Sequence, residues 1–251
     1  MTGRVLFSLA LLLLLAGPAW AEQPAQCRVA SHLIERDFAL PQVNRAIAAK
    51  HLDVLVVGAG SSLLPGSNGA KNAYPARLQH ALGEALPGVT VKVTTEVQAK
   101  RSAREMVKSL PAALAAAKPA LIVWQTGTVD AMQSTDTDQF RAALDQGINI
   151  ARSAGADVVL INAQYSPRTD SMIALGTYAE NMRWVALQHE VPLFDRFSIM
   201  KLWADLGTFD LYAPTKKLDT AELVHDCLGR LLADLIVESA KSDEPHAEGG
   251  R

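Results

Sequence analysis

Cysteine is nearly absent from this chain, with two among 251 residues. A disulfide-dense scaffold is therefore excluded. The six histidines are scattered and no two share a helical turn, so no metal site and no cofactor is expected. Neither sign of charge prevails: a formal net charge of −2 provides no basic field for nucleic acid or an anionic membrane surface. Charge runs, internal repeats and a low-complexity core are also missing. So is the Gly-x-Ser-x-Gly elbow of the α/β-hydrolases. Gly58-Ala59-Gly60 fails as a dinucleotide fingerprint. Leu63 stands where the third glycine belongs, and the next helical pattern opens about ten residues too late to cradle a pyrophosphate.

Long apolar runs are confined to the beginning. Arg4 followed by Leu6 to Ala16, with Ala19-Trp20-Ala21 behind, reads as a signal peptide over residues 1–21. The run is too short and wrongly flanked for a membrane span. Pro24-Ala25-Gln26 lacks the small residue that a lipoprotein signal places before its cysteine, here Cys27. The expected product begins at Glu22, is periplasmic or secreted, and carries no membrane span after cleavage. Roughly 230 residues remain, enough for one sizeable α/β domain over 22–240. The polar stretch 241–251, with Pro245 and a Gly-Gly pair, is expected to be disordered. In an exported protein the isolated pair Cys27 and Cys227 favours a disulfide over two buried thiols.

Between these ends the pattern alternates. Val54–Val57, Val89–Val93, Leu121–Trp124 and Val158–Ile161 read as buried parallel strands, and Val191–Phe194 as a shorter fifth. Helical stripes follow them: Leu78, Leu82 and Leu86; then Phe140, Leu144 and Ile148; and finally Cys227, Leu231 and Leu235. Ser102-Ala103-Arg104-Glu105 is a capping box, and Pro111 should kink or restart the helix it opens. Asp219-x-x-Glu222 reads as a second capping box. Strand–helix alternation of this kind predicts a parallel sheet with helices on both faces. The most informative stretch is Asp53–Leu78, where a β-branched strand breaks into Gly58, Gly60, Ser61 and Ser62. Open α/β sheets place ligands and nucleophiles at such strand ends. A serine pair there and a late histidine, His225, are the raw material for nucleophilic catalysis.

The motifs VVGAGSS, AYPARL, PALIVWQTGTVDAM, VLINAQYSP and HDCLGRLLADLI resemble the SGNH (GDSL-type) hydrolases, in an exported bacterial branch, over nearly the whole chain after the signal. The resemblance implies a flavodoxin-like three-layer α/β/α sandwich with a central parallel sheet. It also implies ester hydrolysis on acyl or acetylated-glycan ligands. Its catalytic blocks are degenerate here. The nucleophile's place falls at Gly60, the second-block glycine at Lys100, and the asparagine donor at Val129 within Gly127-Thr128-Val129-Asp130. Aligned on the last helix, the histidine falls at Asp219 and its aspartate at Lys216. Shifting the first block by one turn restores a serine at Ser62.

Three functional readings follow. In the first, an esterase or deacetylase uses Ser62 (or Ser61) as nucleophile, His225 as base and Glu222 as its orienting carboxylate. In the second, which the degenerate blocks favour, catalysis is lost or remodelled. A non-catalytic cleft lined by Gly60, Ser61, Lys100, Gln125, Gly127, Val129, Asn162 and Asp219 then holds an acyl or glycan ligand or a partner protein. In the third, Asp219 acts as an acid or base.

Overall fold

The computed structural model describes residues 24–34, 38–212 and 218–241. The expected signal peptide and the tail beyond Lys241 lie outside the described residues, as does Lys216. Five strands form one sheet: β1 His51–Gly58, β2 Thr90–Val97, β3 Leu121–Gln125, β4 Asp157–Ile161 and β5 Leu193–Phe194. Every pairing is parallel, in the order β2-β1-β3-β4-β5. Among the described residues, ten α-helices connect and flank them: α1 Pro41–Ala48, α2 Gly69–Asn72, α3 Tyr74–Ala85, α4 Ala103–Ala117, α5 Thr128–Met132, α6 Thr137–Ser153, α7 Pro167–Asp170, α8 Leu175–Gln188, α9 Arg196–Asp205 and α10 Leu218–Lys241.

Alternation along the strands sorts the core into two apolar layers, because successive side chains leave a strand on opposite faces. Leu52, Val54 and Val56 of β1, with Leu121 and Val123 of β3, pack under α1, α3, α9 and α10. Leu55, Val57, Ile122 and Trp124 face the other way, under α4, α6 and α8. Two close approaches need glycine. Gly147 brings α6 onto the Trp124 ring, and Gly229 brings α10 onto the backbone of α3 at Arg77 and Leu78. Cys27 and Cys227 form a disulfide with Cα atoms 5.0 Å apart, tying the chain before α1 to α10.

Two strands depart from the sequence reading. The second is not the buried run Val89–Val93 but the longer Thr90–Val97, half-exposed along its length. It lies at the sheet edge, with β1 as its single neighbour among the described residues, and its polar Thr90, Lys92 and Thr95 meet solvent there. The fifth shrinks to Leu193–Phe194, since the N–H of Val191 turns back to the carbonyl of Ala186 and closes α8 instead. Ser102 does cap α4, its hydroxyl taking the Glu105 N–H while Glu105 accepts from the Ser102 N–H. Pro111 sits inside α4 without ending it. Asp219 and Glu222 both fall within the first turns of α10, which begins at Leu218, so no capping box forms there.

Candidate functional site at the carboxyl ends of the strands

The carboxyl ends of β1, β3 and β4 meet beneath the turn that follows β1. Gly60–Ser62 make one turn of 3₁₀ helix there. Gly60 is exposed on it, and a Cβ at this position would sit 3.7 Å from the Ala99 methyl, an ordinary contact. Beyond β2, Lys100 is exposed and takes φ 65°, the left-handed conformation that glycine enters at least cost. Gly127, at φ 99°, opens α5 after β3 and leaves Val129 half-buried. Asp130 next to it is buried and accepts the N–H of Ala103 at 3.1 Å and the Thr126 hydroxyl at 3.3 Å. Burial pushes its carboxyl above the usual range against those hydrogen bonds. The pair ties the start of α4 to the loop after β3.

The two serines point inward. Ser62 is fully buried, its hydroxyl donating to Gln125 Oε1 at 2.7 Å and lying 3.1 Å from the Tyr74 hydroxyl. The same Gln125 oxygen takes the Ser61 hydroxyl at 3.2 Å and the Ala59 N–H at 3.4 Å. Gln125 is thus the anchor of the turn rather than a lining residue of an open cleft. Asn162 is likewise buried and engaged, donating to Asp195 at 2.7 Å and accepting the Phe197 N–H at 2.8 Å. Asp195 caps α9 through the Ser198 N–H and pairs with Arg183.

His225 belongs to a separate arrangement. Its Nδ1 accepts the N–H of Tyr74 at 2.9 Å, and its side chain makes no hydrogen bond with Ser62. Burial first, and the Arg196 charge second, push it down to about 3. Glu222 does not orient it; that carboxylate accepts from the Asn72 amide at 2.8 Å. Asp219 lies exposed on the first turn of α10. The structure therefore brings Ser61, Ser62 and Gln125 together and links His225 to them only through Tyr74, whose hydroxyl meets Ser62 and whose N–H meets His225, while Glu222 is bonded to Asn72 and Asp219 is exposed.

Sequence reasoning passed over the most unusual member. Arg196, at the first position of α9, is buried and donates to the Ser61 carbonyl at 3.1 Å and to Gln164 Oε1 at 2.9 Å. Its guanidinium lies 5.6 Å from the Tyr74 ring centroid, and no carboxylate pairs with it among the described residues. Desolvation lowers its pKa to about 10, and burial keeps Tyr74 neutral. Nothing in the local pattern around Arg196 announces this, because its partners come from loops far away in the chain.

This geometry can be set beside known proteins. Residues 26–242 match the non-GDSL lipase-like family. The chain belongs to that family. Its fold is that of the SGNH (GDSL-type) hydrolases. TesA superposes with a TM-score of 0.57 at 23% identity, covering 73% of this chain and 99% of TesA. A catalytic mutant of Axe2, an acetylxylan esterase from Geobacillus stearothermophilus, gives 0.57 at 16% identity, over 76% of this chain and 94% of that one. A two-domain esterase active on acetylated mannans gives 0.63 at 14% identity, over 80% of this chain and 55% of the esterase. At these identities the likeness is one of fold. A comparison with curated proteins finds no match.

Proposed function

We propose that this family member is an exported, non-catalytic binding module for acyl-ester or acetylated-glycan ligands. The observation that carries the reading is the turn after β1. Gly60, which the resemblance aligns with the nucleophile, has no side chain, and the nearby Ser62 hydroxyl is buried against Gln125 and Tyr74. Val129 offers no donor where the family's asparagine amide would stand. Exposed Gly60, Lys100 and half-buried Val129 border an open strand-end surface that a ligand could occupy. The ligand class follows from the fold's relatives, among them esterases acting on acetylated xylan and mannan. Export rests on the leader pattern of residues 1–21, with the Cys27–Cys227 disulfide in support. Among the described residues no helix is long and apolar enough to cross a membrane.

The test is fluorophosphonate labelling of the purified protein, with p-nitrophenyl acetate turnover and titration with an acetylated xylo-oligosaccharide beside it. No labelling, no turnover above buffer and saturable glycan binding are expected. Stoichiometric labelling of Ser62, abolished by His225→Ala, would restore the serine esterase.

A further inference from the structure

A cavity of about 450 Å³ opens between the turn after β1, the loop after β4, and helices α9 and α10. None of Gly60, Lys100 and Val129, which border the strand-end surface, lines it. We propose that it binds a small amphipathic anion, a carboxylate or phosphoryl head on an apolar body, held by His225, Gln164 and Arg168. Two of these side chains have their acceptor atoms already engaged. His225 Nδ1 takes the Tyr74 N–H, so the neutral ring carries its proton on Nε2. That ring is 4% exposed, lines the cavity, and its Nε2–H has no partner among the described residues. Gln164 Oε1 takes an Arg196 N–H, leaving the amide NH₂ as the group that can face a ligand. Arg168 stands exposed on the rim as a third donor.

Donors alone would suit any oxygen; the charge behind them selects an anion. Arg196 sits buried behind Gln164 without a carboxylate, and a buried charge lacking a counterion favours negative charge nearby. The one carboxylate on the rim, Asp210, is exposed and accepts the Tyr212 N–H at 3.1 Å. Leu64, Met200 and Val224 supply an apolar wall, and the volume falls in the range of small-molecule pockets.

Decanoate and decyl phosphate are the probes, with decanol as the neutral control, titrated calorimetrically into the disulfide-intact protein. Saturable one-to-one binding of an anion but not of decanol is expected, and whichever anion binds tighter identifies the head group. Arg168→Ala, a surface change, should weaken binding about tenfold, the worth of one charge-assisted hydrogen bond. Ala221→Phe, which fills the cavity from α10, should abolish it. In ¹⁵N-histidine spectra the His225 Nε2 resonance should move on saturation. Absence of saturable binding by either anion, equal binding of decanol, or full affinity in both variants would overturn the proposal. These outcomes are read at His225 and Arg168, and glycan binding at Gly60 neither predicts nor disturbs them.

Discussion

Lowering the pH from neutral to about 4.5 asks His225 to take a proton where it is buried and has no counterion among the described residues. The ring is buried, Nδ1 is occupied by the Tyr74 N–H, and the Arg196 charge is close. Its pKa falls from 6.5 to about 3, mainly through burial. Because the folded value lies below the unfolded one, the unfolded chain binds the extra proton between them. Stability from the neutral ring is fully present above about pH 6.5 and declines as the pH falls towards about 3. Each unit of pH in that window is worth about 1.4 kcal/mol, so about 3 kcal/mol should be lost by pH 4.5. His225→Asn is the control, since its amide oxygen can accept the Tyr74 N–H and does not titrate. Urea unfolding followed by tryptophan fluorescence, at pH 7 and about pH 4.5 for both proteins, isolates the term. The carboxylates titrate in both, and their contributions cancel in the difference. Wild type should lose about 3 kcal/mol more than the variant. Equal losses would mean that His225 is hydrated in the folded protein, and the buried-ring account would fail.

Ser62→Ala should lower stability by about 1–3 kcal/mol, because it leaves the buried Tyr74 hydroxyl without a partner, while fluorophosphonate labelling stays at background; chemical denaturation and labelling check the two halves. Gly60→Ser should fold normally, given the 3.7 Å approach to Ala99, and still resist labelling, because the His225 ring accepts the Tyr74 N–H at Nδ1 and carries its proton on Nε2, leaving no basic nitrogen to activate the serine. Gly229→Ala should cost about 1–3 kcal/mol in thermal unfolding, since the new Cβ would lie 2.6 Å from Arg77 Cβ and 2.9 Å from its backbone. Reduction of the Cys27–Cys227 bond should destabilise the chain by up to about 5 kcal/mol, the loop-closure limit for residues 200 apart; urea midpoints with and without reductant measure it.

The architecture could be read from the sequence because its signals are local. β-branched runs at Val54–Val57 and Val158–Ile161, and stripes such as Phe140, Leu144 and Ile148, show their period within one element, and all three lie where expected. Ser102-x-x-Glu105 worked for the same reason, as both partners lie in one turn. Edge position is not local: the exposure of Thr90–Val97 depends on which strand fails to pair with it. The candidate site was harder still. Ser62 and Gln125 are 63 residues apart, and His225 and Tyr74 are 151 apart. Periodicity carries no information about such partners. Arg196 follows Asp195 in a stretch that reads as an ordinary helix start, so its burial is visible only once the loops after β1 and β4 meet at one edge of the sheet.

The hydrogen-bond pattern bears on the non-catalytic reading proposed above. A single missing nucleophile would leave the other groups aimed at an absent substrate, unsatisfied and costly where buried. Instead Gln125 gathers two serine hydroxyls and a backbone N–H, Asp130 takes the Ala103 N–H, and Asn162 is held between Asp195 and Phe197. These bonds brace the turn, the start of α4 and the start of α9, although Gln125 Nε2 and Thr128 Oγ1 stay buried without a hydrogen-bond partner among the described residues. Lys100 keeps the left-handed backbone that a glycine would hold, although its side chain is now long and charged. On the proposed non-catalytic reading, a glycine-like backbone at Lys100 suits a surface that presents a shape to a ligand rather than a reaction to a substrate.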